Sequence, residues 1–99
     1  MSKLEIYHFW STTCAPCNVV KPTLADLKEE FEGKLTWISV NVQQDPNNFR
    51  EAFGVTSWPT LVAVVRNSNG QIISIEKHSG TAAAGYYRIV RNGLRLTSQ

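Results

Sequence analysis

Hydrophobic positions along the chain change their spacing several times, and each change marks the start of a different predicted element. Residues 3–10 are rich in β-branched and aromatic side chains, which predicts a buried strand. Residues 16–32 carry apolar side chains at helical spacing and predict a helix that Gly33 ends. Pro22 lies inside this helix and is expected to kink it. Residues 35–42 predict a second strand, because most of their apolar side chains are β-branched or aromatic.

The second half of the chain predicts a short helix, a hairpin and a long final helix. Asp45 and Pro46 are typical of a helix start, and the short helix that they open is predicted to close near Gly54. The turn-forming residues 67–70 indicate a β-hairpin. The two hairpin strands and the final helix are predicted over residues 60–66, 71–77 and 82–96.

The order of these elements is that of an α/β protein. A strand, a helix and a second strand in succession form a βαβ unit, whose strands are parallel and joined by a right-handed crossover. The hairpin and the final helix then add a ββα unit with an antiparallel strand pair. We therefore expect one domain over residues 1–99, built on a four-stranded mixed sheet flanked by helices on both faces.

Composition places the chain among ordinary globular proteins. Its 99 residues are 42% hydrophobic and 18% charged, which is enough for one core without metal or disulfide support. The first residues interrupt apolar positions with charge and contain neither a secretory signal core nor a membrane-spanning run. With only two cysteines, the expected location is the reducing cytoplasm, where such a pair is more often catalytic than structural.

Charge is distributed unevenly, although the net charge is only +2. Residues 1–76 carry six basic and eight acidic side chains, whereas residues 77–99 carry four basic side chains and no acidic one. The final helix therefore has a basic face, which indicates either plain solvation or attraction of an acidic partner protein. Nucleic acid is not expected as a partner, because no basic patch interleaved with aromatics forms a recognisable reader motif.

Cys14 and Cys17 are the only cysteines, and they stand where the first strand gives way to the first helix. The unpaired N–H groups and the partial positive charge of a helix start favour a thiolate over a thiol. Pro16 suits this first turn, where its missing N–H costs nothing. The Cys-Ala-Pro-Cys segment therefore predicts a site of reversible dithiol–disulfide chemistry.

Three other interpretations of the cysteine pair remain open at this stage. A structural zinc site normally needs four Cys or His ligands, and beyond the pair the chain offers only His8 and His78. An iron–sulfur cluster needs four cysteines, so it would require a second chain. A purely structural disulfide would close a very short loop and would restrict the unfolded chain little. The expectation is a redox-active pair with no metal and no organic cofactor.

Together these residues resemble the thioredoxin family. The resemblance rests on the motifs at residues 9–17 and 53–60, with Pro22, Gly70 and Gly80 at matching positions. It covers nearly the whole chain and implies the thioredoxin fold and the activity of a protein-disulfide reductase. In that family a strand and a helix precede the point at which this chain starts, so we expect a minimal thioredoxin fold.

The resemblance also implies a role for each matching residue. Cys14 would be the nucleophile that attacks a substrate disulfide, and Cys17 would be the buried thiol that resolves the mixed disulfide. Pro59 would be a cis-proline facing the cysteines, next to a loop that pairs its backbone with the substrate. The surrounding docking surface would be formed by Ala15, Pro16, Trp58, Gly80 and Thr81.

Four positions depart from the usual family pattern. Thr13 replaces the tryptophan common before the first cysteine, and Ala15 replaces a glycine, which should stiffen the active-site turn. His8 falls where related proteins bury an acid, so it either accepts the proton of the resolving thiol or is a strand histidine bonded to a neighbouring hydroxyl or carbonyl. Trp58 replaces a smaller aliphatic residue and either narrows the range of substrates or covers the site by packing on Trp10.

Two function classes follow from these interpretations. In the first, the chain is a cytoplasmic thiol-disulfide oxidoreductase that acts on protein disulfides and not at membranes. A separate thioredoxin reductase or a low-molecular thiol would supply electrons, because the sequence has no glycine-rich dinucleotide-binding motif. In the second, the chain is a binding or assembly module in which the cysteines are incidental. A monomer is expected, although an uncharged sheet edge at residues 35–42 would also allow a dimer.

Overall fold

The chain folds into a four-stranded sheet with helices on both faces. A computed structural model describes residues 1–98. The elements follow one another as β1 (Lys3–Trp10), α1 (Ala15–Glu30), β2 (Thr36–Asn41), α2 (Phe49–Ala52), β3 (Thr60–Arg66), β4 (Ile72–Ser79) and α3 (Ala83–Thr97). The predicted order of a βαβ unit, a short helix and a ββα unit is therefore confirmed in the described residues.

The strand order is β2-β1-β3-β4, so β1 and β3 occupy the centre of the sheet. β1 runs parallel to β2, and β3 runs antiparallel to both β1 and β4, which confirms the mixed sheet. Within the described residues β2 is an edge strand, because it pairs with β1 alone. Phe9 near the end of β1 pairs with Thr60 at the start of β3. The loop that leaves β1 and the loop that enters β3 are therefore neighbours at one end of the sheet.

The two longer helices cover one face of the sheet. Their apolar side chains meet alternate side chains of the central strands in one buried cluster, formed by Leu4, Ile6, Val20, Leu24, Leu27, Phe31, Leu61, Ala63, Val65, Tyr86, Ile89 and Val90. The predicted apolar stripe of α3 is confirmed, since Tyr86 and Val90 are fully buried and Leu94 packs against the cluster. No helix within residues 1–98 has the length and apolar character needed to cross a membrane.

The short helix α2 and the residues after it cover the opposite face. The strand residues that alternate with the first cluster form a second one here, together with Val40 and Val55. Phe49 and Phe53 place their ring centroids 5.0 and 4.8 Å from that of Tyr7. β3 is therefore buried on both faces, which is why its sequence is an uninterrupted apolar run.

Helix α2 begins later than the sequence predicts. Asn48 takes a left-handed conformation with φ of 55°, so it separates the helix, which starts at Phe49, from the preceding turn. The prediction that Pro46 lies in the first turn of this helix is therefore wrong. Asp45 still stabilises the helix start, because its carboxylate accepts hydrogen bonds from the backbone N–H groups of Phe49 and Arg50 at 3.1 and 2.8 Å.

The other boundaries differ from the predicted ones by one or two residues. The predicted ranges were 16–32 for α1, 35–42 for β2, 71–77 for β4 and 82–96 for α3, compared with the observed bounds given above. Helix and strand ends depend on the last hydrogen bonds that form, which an apolar pattern does not specify. At the end of α1, for example, Phe31 is the capping residue, and its N–H donates back to the carbonyl of Leu27.

Candidate active site

The cysteine pair lies at the first turn of α1. Cys14 is the N-cap residue with extended backbone angles, and the helix begins with the next residue. This change of backbone direction brings Cys14 and Cys17 together as a disulfide whose Cα atoms are 5.3 Å apart. The backbone N–H of Cys17 points at the Cys14 sulfur from 3.1 Å, so the sulfur occupies the position of a helix-capping acceptor. Pro16 lies in the first turn, as predicted.

Both cysteines are buried, although burial was expected only for Cys17. Cys14 is 8% exposed and Cys17 is 4% exposed. The carbonyl oxygen of Trp58 lies 3.5 Å from the Cys14 sulfur and covers it from the neighbouring loop. Ala15 and Pro16, in contrast, are exposed on the surface of the turn. The accessible side of the cysteine pair is therefore the one next to these two residues.

Trp58 and Pro59 are joined by a cis peptide bond, as the family resemblance implies. Pro59 is buried, and its carbonyl oxygen accepts a hydrogen bond from the backbone N–H of Gly80 at 3.1 Å. Gly80 has φ of 99°, a conformation that residues with side chains disfavour, and Thr81 follows it at the surface. The structure thus brings the predicted docking residues and the cysteines to one end of the sheet.

The indole of Trp58 is half-buried and packs against the apolar cluster on the α2 side of the sheet. The guanidinium of Arg50 lies 5.4 Å from the centroid of its ring. Trp10 belongs to the α1 side, where its Nε1–H donates a 2.7 Å hydrogen bond to the hydroxyl of Ser39. The contacts that the structure shows for Trp58 therefore come from the α2 side, and packing of Trp58 on Trp10 stays a prediction.

A cavity of about 400 Å³ lies behind Cys17. Its lining includes His8, Trp10, Lys21 and Ser39, so the structure places His8 on the same cavity as the second cysteine. The Nε2 atom of His8 is buried and has no hydrogen-bond partner in the described part of the chain. The expected bond from a neighbouring hydroxyl or carbonyl is therefore not formed at this nitrogen.

Burial also changes the acid–base behaviour of His8. Desolvation is the main reason that the pKa of its imidazole falls from 6.5 to about 4, and the positive charge of Lys28 lowers this pKa as well. The ring is therefore uncharged at neutral pH and is a weak base. A weak base is a poor acceptor for the proton of a thiol, which argues against the proton-accepting interpretation of His8.

One polar group next to the site was not expected from the sequence. Tyr86 belongs to the predicted apolar stripe of α3, and its side chain is indeed fully buried. The hydroxyl of Tyr86, however, donates a hydrogen bond to the carbonyl of Gly80 at 2.5 Å and lies 3.4 Å from the carbonyl of Pro59. Because a buried tyrosine hydroxyl usually has a partner, burial of this residue was the signal that could have revealed the contact.

The two histidines do not combine with the cysteines into a metal site. His78 lies beside Tyr86, with 4.5 Å between the ring centroids, while His8 lines the cavity behind Cys17. Within residues 1–98, no three His, Cys, Asp or Glu side chains are grouped closely enough to hold a metal ion.

A disulfide at the start of a helix, next to a cis-proline and packed on a four-stranded mixed sheet, places the molecule in the class of thioredoxin-fold proteins. The sequence model of the thioredoxin family, described as Thioredoxin, matches residues 1–85. The chain therefore belongs to the thioredoxin family.

Curated relatives agree with this membership. The thioredoxin of Haemophilus influenzae is 39% identical over 69 residues, which cover 69% of this chain and 60% of that protein. The thioredoxin of Synechocystis is 33% identical over 54 residues, which cover 54% of this chain and 50% of that protein. The chain thus spans between half and three fifths of the length of these two relatives.

Solved structures show the same fold. A germline-specific thioredoxin of Drosophila melanogaster superposes with a TM-score of 0.74 at 21% identity, covering 91% of this chain and 80% of that one. The oxidised form of mitochondrial thioredoxin 3 from Saccharomyces cerevisiae gives a TM-score of 0.73 at 22% identity, covering 91% and 78%. These similarities confirm the predicted thioredoxin fold.

The low pKa of His8 predicts that acid destabilises the folded chain. Above about pH 6.5 the imidazole is neutral in both the folded and the unfolded chain, whereas below that pH only the unfolded chain binds a proton, until the folded chain also does so near pH 4. Between about pH 7 and about pH 4.5 the unaltered chain should therefore lose about 2 kcal/mol more unfolding free energy than His8→Gln.

Urea unfolding of both proteins at the two pH values measures this difference. The carboxylates titrate in both proteins, so their contribution cancels in the comparison. Equal losses of stability in the two proteins would contradict the burial-induced shift of the His8 pKa.

Proposed function

We propose that the chain is a thiol-disulfide oxidoreductase that reduces protein disulfides through the Cys14–Cys17 couple. The observation that carries this proposal is the position of the pair, which combines the first turn of a helix with contact to the cis-Pro59 loop. A helix start supplies backbone N–H groups that stabilise a thiolate. The loop beside the cysteines supplies backbone groups with which a substrate segment can pair.

The reaction consists of two thiol–disulfide exchanges. In the reduced chain the Cys14 thiolate attacks one sulfur of the substrate disulfide, a bond forms between them, and the other substrate sulfur leaves as a thiolate that takes up a proton. Cys17 then loses its proton and attacks the Cys14 sulfur. The intramolecular disulfide forms, and the second substrate sulfur leaves and is protonated. The substrate gains two electrons and two protons. The chain loses the same number when the proton that Cys14 released on forming its thiolate is counted with that of Cys17.

The cavity next to Cys17 suggests how the second exchange loses its proton. Since the imidazole of His8 is neutral and weakly basic, we assign the proton of Cys17 to solvent that reaches the cavity rather than to His8. Lys21, which also lines the cavity, carries a positive charge that favours the Cys17 thiolate in this step.

Electrons return to the disulfide from a second protein or a small thiol. The sequence has no dinucleotide-binding motif, so the chain depends on a separate reductase or a low-molecular thiol to regenerate the dithiol. Such a cycle fits the reducing cytoplasm, which is the location that we propose.

Substrates dock on the surface around the accessible side of the cysteine pair. The exposed residues there are Ala15 and Pro16 on the turn and Thr81 beyond Gly80, with the half-buried indole of Trp58 next to them. A large aromatic side chain in such a position contributes strongly to contact with some partners and obstructs others. We therefore assign Trp58 to substrate selection.

Replacement of each cysteine separately should distinguish their roles. Cys14→Ser should lower turnover of a protein disulfide by at least about a hundredfold, because the attacking thiolate is lost. Cys17→Ser should also stop turnover but should accumulate a mixed disulfide between Cys14 and the substrate, because nothing resolves it. Turnover assays and intact-protein mass spectrometry under non-reducing conditions measure the two effects.

The double variant Cys14→Ser/Cys17→Ser tests the alternative class, a binding module with incidental cysteines. A module of that class would show no disulfide turnover in the unaltered chain and would retain its partner when both sulfurs are removed. Turnover that persists in Cys14→Ser would contradict the assignment of the nucleophile.

Replacement of Trp58 should change which substrates are preferred. We expect Trp58→Ile to change the rank order of kcat/KM among several protein disulfides, with relative changes of about threefold or more, because different partners use the indole differently. Reduction of a small aromatic disulfide serves as the control and should change little. An unchanged rank order would mean that Trp58 only covers the site.

Replacement of His8 should leave turnover nearly intact. A general base contributes about a hundredfold or more to a step that it accelerates, so its loss would be evident. We expect His8→Ala to remain within about twofold of the unaltered chain from about pH 6 to about pH 8, measured with the same protein disulfide. A fall of tenfold or more with retained folding would restore His8 as the proton acceptor.

A further inference from the structure

Two stretches of backbone form the wall beside the Cys14 sulfur. The carbonyl of Trp58 lies 3.5 Å from that sulfur, and the carbonyl of Pro59 accepts a hydrogen bond from the N–H of Gly80 at 3.1 Å. A protein segment that adds to this wall as an extended strand needs the backbone groups of the wall at fixed positions. We call the residues around Pro59 the Pro59 loop and those around Gly80 the Gly80 loop. A side chain that holds these two loops together therefore affects binding of such a segment more than it affects the reaction at the sulfur.

The buried side chain of Tyr86 contacts backbone carbonyls of both loops, whereas the buried hydroxyl of Thr60 joins the carbonyl of Ser57 to the hydroxyl of Ser79 at 2.7 and 2.6 Å. The hydroxyl of Tyr86 donates to the carbonyl of Gly80 at 2.5 Å and lies 3.4 Å from the carbonyl of Pro59. With the hydrogen bond from Gly80 to Pro59, these contacts form a closed set that we call the Tyr86 clamp. Gly80 has φ of 99°, which residues with side chains disfavour, and it directly follows Ser79, the last residue of β4, which pairs with Thr60.

His78 supports the ring of Tyr86 from the β4 side. The two ring planes meet at 88° with 4.5 Å between centroids, which is an edge-to-face arrangement. The Nε2–H of His78 donates to the carbonyl of Ala82 at 3.0 Å and so connects the end of strand β4 to the start of α3. Gly85 makes room for this imidazole, because a Cβ at that position would overlap the ring.

The hydroxyl is the group on which the clamp depends. Burial raises the pKa of Tyr86 to about 12, so the hydroxyl keeps its proton and donates throughout the neutral pH range. Its removal would leave the carbonyl of Gly80 without this donor, and a polar group that loses its partner costs more than an ordinary hydrogen bond contributes.

We propose that Tyr86 is a positioning residue that holds the Pro59 and Gly80 loops in the arrangement that an extended protein segment requires to bind beside Cys14. The inference rests on the proposed function, since it concerns the substrate of that reaction. Tyr86 bonds to backbone carbonyls and not to either sulfur. Exchange with a small disulfide, which makes no strand contacts, is therefore independent of the clamp.

Tyr86→Phe tests the proposal, and Tyr87→Phe is the matched control. Tyr87 is the next residue of α3, is half-buried and stacks under the guanidinium of Arg91 at 5.3 Å, outside the clamp. In Tyr86→Phe the KM for a protein disulfide should rise by roughly threefold to tenfold, the factor that one net hydrogen bond represents. Its kcat and its rate with a small aromatic disulfide should stay within about twofold of the unaltered chain. Tyr87→Phe should leave all three quantities unchanged.

Amide hydrogen exchange of Gly80, followed by NMR, tests the clamp without any need for turnover. Exchange of this N–H should be severalfold faster in Tyr86→Phe than in the unaltered chain and should be unaffected in Tyr87→Phe. If the unaltered chain reduces no disulfide, the proposed function fails, and the exchange result alone then supports or overturns the clamp.

Two outcomes would overturn the inference while leaving the proposed function intact. One is a KM for the protein disulfide that is the same in Tyr86→Phe and the unaltered chain. The other is an equal loss of rate with the protein and the small disulfide. If Tyr86→Phe does not fold, Gly85→Ala serves as the test variant, because the added Cβ displaces the His78 ring from Tyr86. The same selective rise in KM is expected there, and its absence counts against the clamp.

Discussion

The register between β1 and β3 is the constraint on which the rest of the site depends. Phe9 pairs with Thr60 in an antiparallel ladder, so the chain leaves toward Cys14 at the same end of the sheet at which it arrives from Pro59. Six of the seven residues of β3 are buried, and their side chains fill both faces of the sheet. A slip of one residue would exchange the two faces and misplace every apolar side chain. Burial of an apolar strand therefore sets the distance between the cis-proline loop and the sulfurs.

The two sulfurs have different surroundings as a result. Cys14 lies between a backbone N–H of α1 and the carbonyl of Trp58, so its neighbours are fixed dipoles of the main chain. Cys17 lies on a cavity that it shares with His8, whose ring is uncharged at neutral pH because it is buried. At the position where the family usually buries an acid, this chain thus places a neutral group. In the described part of the chain, the residues that line this cavity include no acidic side chain.

In the proposed function, the reacting sulfurs and the surface for the substrate belong to different parts of the chain. The sulfurs belong to the junction of β1 and α1, whereas the backbone on which a substrate would lie belongs to the loops at Pro59 and Gly80. The last helix joins these parts, because Tyr86 bonds to the Gly80 loop from within the apolar core. In the role that we propose for Tyr86, a core side chain with one polar atom influences binding at the surface, because the core determines where that atom lies.

The order and type of the elements could be predicted from the sequence, because apolar spacing and turn residues act over a few neighbouring positions. For the same reason it identified Cys14 and Cys17 as a pair at a helix start. The family motif then implied the cis bond at Pro59, which composition alone would not. The burial of Cys14, the low pKa of His8 and the hydrogen bond of Tyr86 could be seen only in the folded chain. Each of these depends on groups that are distant along the chain and come together only when the sheet and helices pack.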